Sequence, residues 1–131
     1  MENLEGYLYT KEHEWISIED STGVIGITDY AQSALGDITF VELPKTDQEV
    51  EQGGELASVE SVKAASDIFS PMSGKVIEVN SALESDPAII NQSCYDKGWI
   101  AKIKIADKEE SSNLMNAEEY RQFLESLEEK E

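Results

Sequence analysis

One cysteine and one histidine occur in 131 residues, and 10 basic residues stand against 28 acidic ones. The lone Cys94 excludes an internal disulfide and cannot by itself build a cysteine zinc site. It lies in the loop-like stretch Asn91-Gln-Ser-Cys-Tyr95, with no basic neighbour to lower its pKa before Lys97, which points to a structural thiol. A single histidine, His13, rules out a multi-histidine metal centre, and nothing in the sequence brings it to Cys94 as a base for a nucleophile. No metal site is expected. No apolar run approaches the roughly 18 residues of a membrane helix. The opening Met1-Glu-Asn-Leu-Glu-Gly6 has neither the basic start of a signal peptide nor the Arg-rich pattern of a transit peptide. A soluble intracellular protein is expected. Its formal charge of −18 repels phosphates, which argues against nucleic acid and anionic membranes as partners.

What is present suits one globular domain spanning 1–131, with 40% apolar and 29% charged residues. The acid is unevenly spread. Residues 1–62 carry 14 acidic and 2 basic residues (net −12), 63–106 carry 5 and 5, and 107–131 carry 9 and 3 (net −6). Most of these carboxylates read as solubilising surface, yet such a field steers basic partners inward. Short β-branched or aromatic runs predict strands at 15–18, 23–27, 38–43, 56–62, 75–79 and 99–105. Thr28 caps a predicted short helix over 29–35, which Gly36 stops. Asn116 and Glu119 form a capping-box pattern that opens a helix over about 116–128. Leu114, Ala117, Tyr120, Leu124 and Leu127 give that helix one apolar stripe, expected to pack on the sheet. Segments 54–61 and 74–81 align at an offset of 20, sharing the glycine, a valine and the serine. The repeat suggests two strands related by a two-fold, each entered at a glycine, with a tight turn near Val62-Lys63.

Lys63 is the one basic residue between Lys45 and Lys75. A lysine on a hairpin tip holds its amine within reach of another protein's active site, but surface lysines in turns are ordinarily inert, and position alone assigns no role. The surrounding blocks are more specific. They are Tyr9-Thr-Lys-Glu-His-Glu-Trp15, Gly26-Ile-Thr-Asp-Tyr-Ala-Gln32, Leu35-Gly-Asp-Ile38, Phe40-Val-Glu-Leu-Pro44 and Val59-Glu-Ser-Val-Lys-Ala-Ala-Ser-Asp67. Ser70-Pro71, Gly74, Tyr95 and Gly98-Trp99 follow. In this order, over roughly 7–127, the chain resembles the glycine cleavage system H-protein family of lipoyl carriers. Biotin carriers share the fold but resemble Ala-Met-Lys-Met at the tip, whereas Val62 and Ala64 flank the lysine here. One departure is Cys94, where similar proteins often have proline.

The resemblance implies a mainly β barrel-sandwich hybrid with a short helix in the N-terminal half and a C-terminal helix. It implies lipoate in amide linkage on Lys63, with the sulfurs roughly 14 Å from the Cα. The implied function is a non-catalytic shuttle in glycine catabolism and one-carbon metabolism. It carries the aminomethyl group from a pyridoxal-phosphate glycine decarboxylase (P protein) to a tetrahydrofolate-dependent aminomethyltransferase (T protein). Dihydrolipoamide dehydrogenase (L protein) then reoxidises it. A lipoate ligase or a lipoyl/octanoyl transferase is the further partner, and the shuttle is expected to be monomeric. Glu60, three residues before Lys63, is the candidate for recognition by the lipoylating enzyme. Glu14 and Asp67 are the candidate carboxylates of a cleft for the loaded, cationic arm. Gly74 is expected to serve a turn. The opening Met1 favours bacterial cytoplasm, with the mitochondrial matrix as the alternative if a transit peptide has been removed. Two competing readings are a lipoyl relay to 2-oxoacid dehydrogenase subunits and a plain interaction module with Lys63 unmodified.

Overall fold

The computed structural model describes residues 6–129, so most of the N-terminal segment read above for a leader peptide lies outside the described residues. The chain runs β1 (Tyr7–Tyr9), β2 (Glu14–Glu19), β3 (Thr22–Ile27), α1 (Asp29–Leu35), β4 (Ile38–Glu42), β5 (Glu49–Val50) and β6 (Glu55–Ser61). It continues through β7 (Ala65–Phe69), β8 (Gly74–Val79), α2 (Ala82–Ser85), α3 (Ile89–Gln92) and β9 (Ala101–Ile105). A 3₁₀ turn, Lys108–Asn113, then leads to α4 (Ala117–Glu129). The strands make two antiparallel sheets, one ordered β1-β2-β3-β9-β8-β5 and the other β4-β6-β7. Ile16, Ile25, Val76 and Ile103 of the first sheet share one apolar core with Val41, Leu56, Val59 and Ile68 of the second. The expected mainly β class holds, with neither sheet closed into a barrel.

Local chemistry explains the helices. Thr28 Oγ1 accepts the Ala31 N–H (3.3 Å), and Asp29 sits at the positive end of α1. Gly36 ends that helix with φ +78°, its N–H bonded to the Gln32 carbonyl (3.0 Å). Asn116 and Glu119 close the reciprocal capping box of α4 at 2.8 and 3.0 Å. The apolar stripe of α4 packs inward as expected. Tyr120 and Leu124 are buried with Tyr9 and Trp15, and the Tyr120 ring stacks on Tyr9 with centroids 4.6 Å apart.

The structure corrects three expectations. The tight turn expected near Val62-Lys63 is present, but it joins β6 to β7, its antiparallel partner, and the repeat strands β6 and β8 belong to different sheets. The segment Ala65-Ser-Asp-Ile-Phe69 escaped the strand reading because β7 is an edge strand with mostly exposed, polar residues and no apolar alternation. Gly74 occupies no turn. It opens β8 between Val50 and Ile105, where a Cβ would lie 2.4 Å from the Lys104 carbonyl oxygen.

Candidate functional site

Three residues, Val62-Lys63-Ala64, join β6 to β7. Ser61 organises them. Its Oγ accepts the Lys63 and Ala64 N–H groups, both at 3.1 Å, and its own N–H donates to the Ala64 carbonyl (2.8 Å). The Val62 N–H donates to the Asp37 carbonyl (3.1 Å), so the loop after α1 supports the tip. Gly36 in that loop packs alongside the lysine stem, its glycine required by the positive φ of +78°. A Cβ there would lie 3.4 Å from Lys63 Cε and 3.6 Å from Val62 Cγ2, on a backbone that already demands positive φ. The Lys63 side chain is exposed and its ammonium has no ion pair among the described residues. Lys102, by contrast, sits 3.6 Å from Glu78 and 4.9 Å over the Trp99 ring.

The other proposed residues divide. Glu60 is exposed on β6, in register with Phe40 on β4 and Ala65 on β7, so it stands beside the tip as expected. Glu14 is only 2% exposed at the start of β2. Its Oε1 accepts the Thr10 hydroxyl (2.6 Å) and its Oε2 accepts the Phe69 N–H (3.1 Å). The carboxylate therefore satisfies a backbone donor of edge strand β7 and ties the two sheets together. Burial pushes its pKa up to about 7; the two hydrogen bonds oppose this and neighbouring Glu12 adds to it.

Glu14 also lines a groove of about 440 Å³ with Thr10, Glu12, Gln52, Phe69 and Asn113. Asp67 is not in that lining. It is exposed on β7, two residues before Phe69 and four residues after Lys63. The structure thus brings Glu12, not Asp67, into the groove with Glu14. Thr10 went unread in the sequence. Its hydroxyl oxygen also accepts the Glu12 and Glu14 N–H groups at 3.2 and 3.1 Å, building the turn that presents Glu14. The signal was available in the Thr10-Lys-Glu-His-Glu block, because a hydroxyl that bonds its own backbone ahead marks such turns.

Cys94 is buried, its thiol raised to about 12 by desolvation and by the nearby Asp29 charge, and its carbonyl accepts the Trp15 indole N–H (3.1 Å). This is a structural setting. Among the described residues, no helix is long and apolar enough to cross a membrane, and no group of three or more His, Cys, Asp or Glu could hold a metal ion.

Comparison with known proteins agrees with the geometry. The family model described as Glycine cleavage H-protein matches residues 7–127. The glycine cleavage system H protein of Coprothermobacter proteolyticus is 54% identical over 125 residues, covering 95% of this chain and 98% of its own. That of Halothermothrix orenii is 49% identical over 124 residues, covering 95% and 97%. The crystal structure of the glycine cleavage system H protein of Mycobacterium marinum superposes with a TM-score of 0.82 at 36% identity, over 90% of this chain and 95% of that one. This chain belongs to the glycine cleavage H-protein family.

Proposed function

We propose that this chain is the lipoyl-bearing shuttle of a glycine cleavage system, with lipoate joined to Lys63. The carrying observation is the tip itself: an exposed lysine with no ion pair among the described residues, on a turn held by Ser61, inside the Glu60-Ser-Val-Lys-Ala64 segment. The residues present fit the group, since Lys63 is exposed and its ammonium has no ion pair among the described residues. When bound, lipoate supplies two sulfurs that accept and release a one-carbon fragment and cycle between dithiol and disulfide.

Attachment is chemistry at Lys63 Nζ. The ammonium gives up a proton, and the freed lone pair forms a bond to the acyl carbon of an activated lipoyl or octanoyl donor. The bond from that carbon to AMP or to a carrier thiol breaks, with its electrons on the leaving group. Loss of a second proton leaves a neutral amide, and the chain passes from −18 to −19. Lys63 is thereafter a tether with no acid–base role.

Glu14 is the group that would receive a cation drawn into the groove, because bringing positive charge beside it favours its carboxylate form. Glu12 adds a second charge there, and Asp67 stands nearer the lysine, along the approach. Glu60 is assigned to recognition by the attaching enzyme. Partners are then the decarboxylase, the aminomethyltransferase and the dihydrolipoamide dehydrogenase, in the cytoplasm of a bacterial host. The relatives' shared name supports shuttle over relay.

Intact mass of the protein made in lipoate-supplied cells, beside Lys63→Arg, tests the assignment. A single lipoyl increment, absent from the variant, is expected. An unmodified wild type in cells with an active lipoylating system would overturn it.

A further inference from the structure

Three large apolar side chains stand conspicuously exposed among the described residues: Phe40 at 51%, Val62 at 66% and Ile77 at 43%. Two of them belong to the lysine-bearing sheet and its turn. Val62 precedes Lys63 in the chain, and Phe40 on β4 is the register partner of Glu60, three residues before it. Ile77 lies on β8 in the other sheet.

The three-stranded sheet has two unlike faces. Val41, Ala57, Val59 and Ile68 are buried in the core. On the opposite face, Phe40, Glu60 and Ala65 form one row across the strands, and Glu42, Ser58 and Asp67 form the next. Strands β4, β6 and β7 together contain four acidic residues, Glu42, Glu55, Glu60 and Asp67, all exposed, and no lysine or arginine. The outer face therefore carries an aromatic ring edged by carboxylates, and the exposed Val62 and Lys63 stand in the turn that follows β6.

We propose that Phe40 and Val62, edged by Glu42, Glu60 and Asp67, are the surface gripped by the lipoyl-attaching enzyme through an apolar socket lined with lysine or arginine. The inference rests on Lys63 being the attachment site. Reach selects this partner over the shuttle enzymes. An unmodified lysine extends its Nζ only about 6 Å from the Cα, so an enzyme acylating it must press against the tip's immediate neighbours. Once the arm is in place its working end lies roughly 14 Å out, and later partners can meet it without covering Phe40. Charge complementarity sets the chemistry of the socket, since an acidic rim around an apolar centre matches a basic rim around an apolar pocket. Glu60 alone is a single exposed charge. Phe40 adds the desolvated anchor on which such interfaces rest.

The test uses the full, unmodified chain with a purified lipoate ligase, lipoate and ATP. Attachment is followed by intact mass, and ligase binding is measured on the unreactive Lys63→Arg background. Phe40→Ala is expected to lower kcat/KM for attachment, and to weaken binding, by about tenfold, with Tm unchanged. Ile77→Ala should leave both at wild-type values. Glu42→Lys should also weaken binding and flatten its salt dependence, which covers the case of a destabilised Phe40→Ala. Wild-type attachment and binding in Phe40→Ala, or an effect no larger than that of Ile77→Ala, would overturn the proposal. So would a wild-type dimer that Phe40→Ala dissolves while attachment is unchanged, because a second copy then occupies the face. A wild type that is never modified at Lys63 removes the functional reading, and this inference with it.

Discussion

Glu14 concentrates two jobs in one carboxyl group: it satisfies the Phe69 N–H, and it faces the groove. Its pKa, raised from 4.5 to about 7, has a definite stability sign. Below about pH 4.5 the carboxyl is protonated in folded and unfolded chains alike. Between there and pH 7 the unfolded chain ionises first, so folding loses stability as pH rises. The loss is complete above the folded pKa and amounts to about 3 kcal/mol. Glu14→Gln removes this titration while leaving a pH-independent change at the Phe69 N–H. Measured by denaturant unfolding at pH 5 and pH 8, the variant should therefore gain on wild type by a few kcal/mol over that interval. A difference that stays constant with pH would show that Glu14 titrates like an ordinary surface acid.

At the scale of elements, one hydroxyl joins three segments. Tyr120 of α4 places its OH 2.8 Å from His13 Nδ1, in the β1–β2 turn, and 2.8 Å from Thr28 Oγ1, the cap of α1. Burial lowers the His13 pKa, opposed by Glu12, and the imidazole Nδ1 shares a hydrogen bond with the phenol. Tyr120→Phe strands both partners and should cost about 2 kcal/mol in urea unfolding, more than the roughly 1 kcal/mol expected for the exposed cap in Asn116→Ala. Equal losses would mean that the network adds nothing beyond the helix. The starts of α1 and α4 were legible because capping is local chemistry, written within three or four residues, whereas α2 and α3 have no side-chain cap to announce them. The bond from Tyr120 to His13 spans 107 positions, and no local signal announces it. Strand β7 was illegible for a related reason: at a sheet edge its exposed residues need no alternation, and pairing with β6 alone makes it a strand.

For the molecule as a whole, the charge of −18 is both a solubilising shell and a long-range field. Folding gathers part of the acid-rich first half, Glu42, Glu55 and Glu60, together with Asp67, onto the lysine-bearing sheet. Association of the unmodified chain with a basic-mouthed partner should therefore be fast at low salt. Between 50 and 300 mM salt its on-rate should fall by about an order of magnitude. Stopped-flow association measures this directly, and a rate indifferent to salt would leave the field without a role in docking.

The family of the chain was legible in the sequence alone, because its blocks are short contiguous signals that run in order from Tyr9 to Trp99. The caps of α1 and α4 and most strands were legible in the same way. Tertiary structure decided what depends on pieces distant in sequence. It set Glu14 against the edge of β7, put Glu12 beside it in the groove, and assigned β6 and β8 to separate sheets. It also left Phe40 exposed beside the lysine. Apolar pattern tells which residues are available for burial. Which of them the other sheet leaves uncovered is a property of packing, and here that residue lies next to the tip.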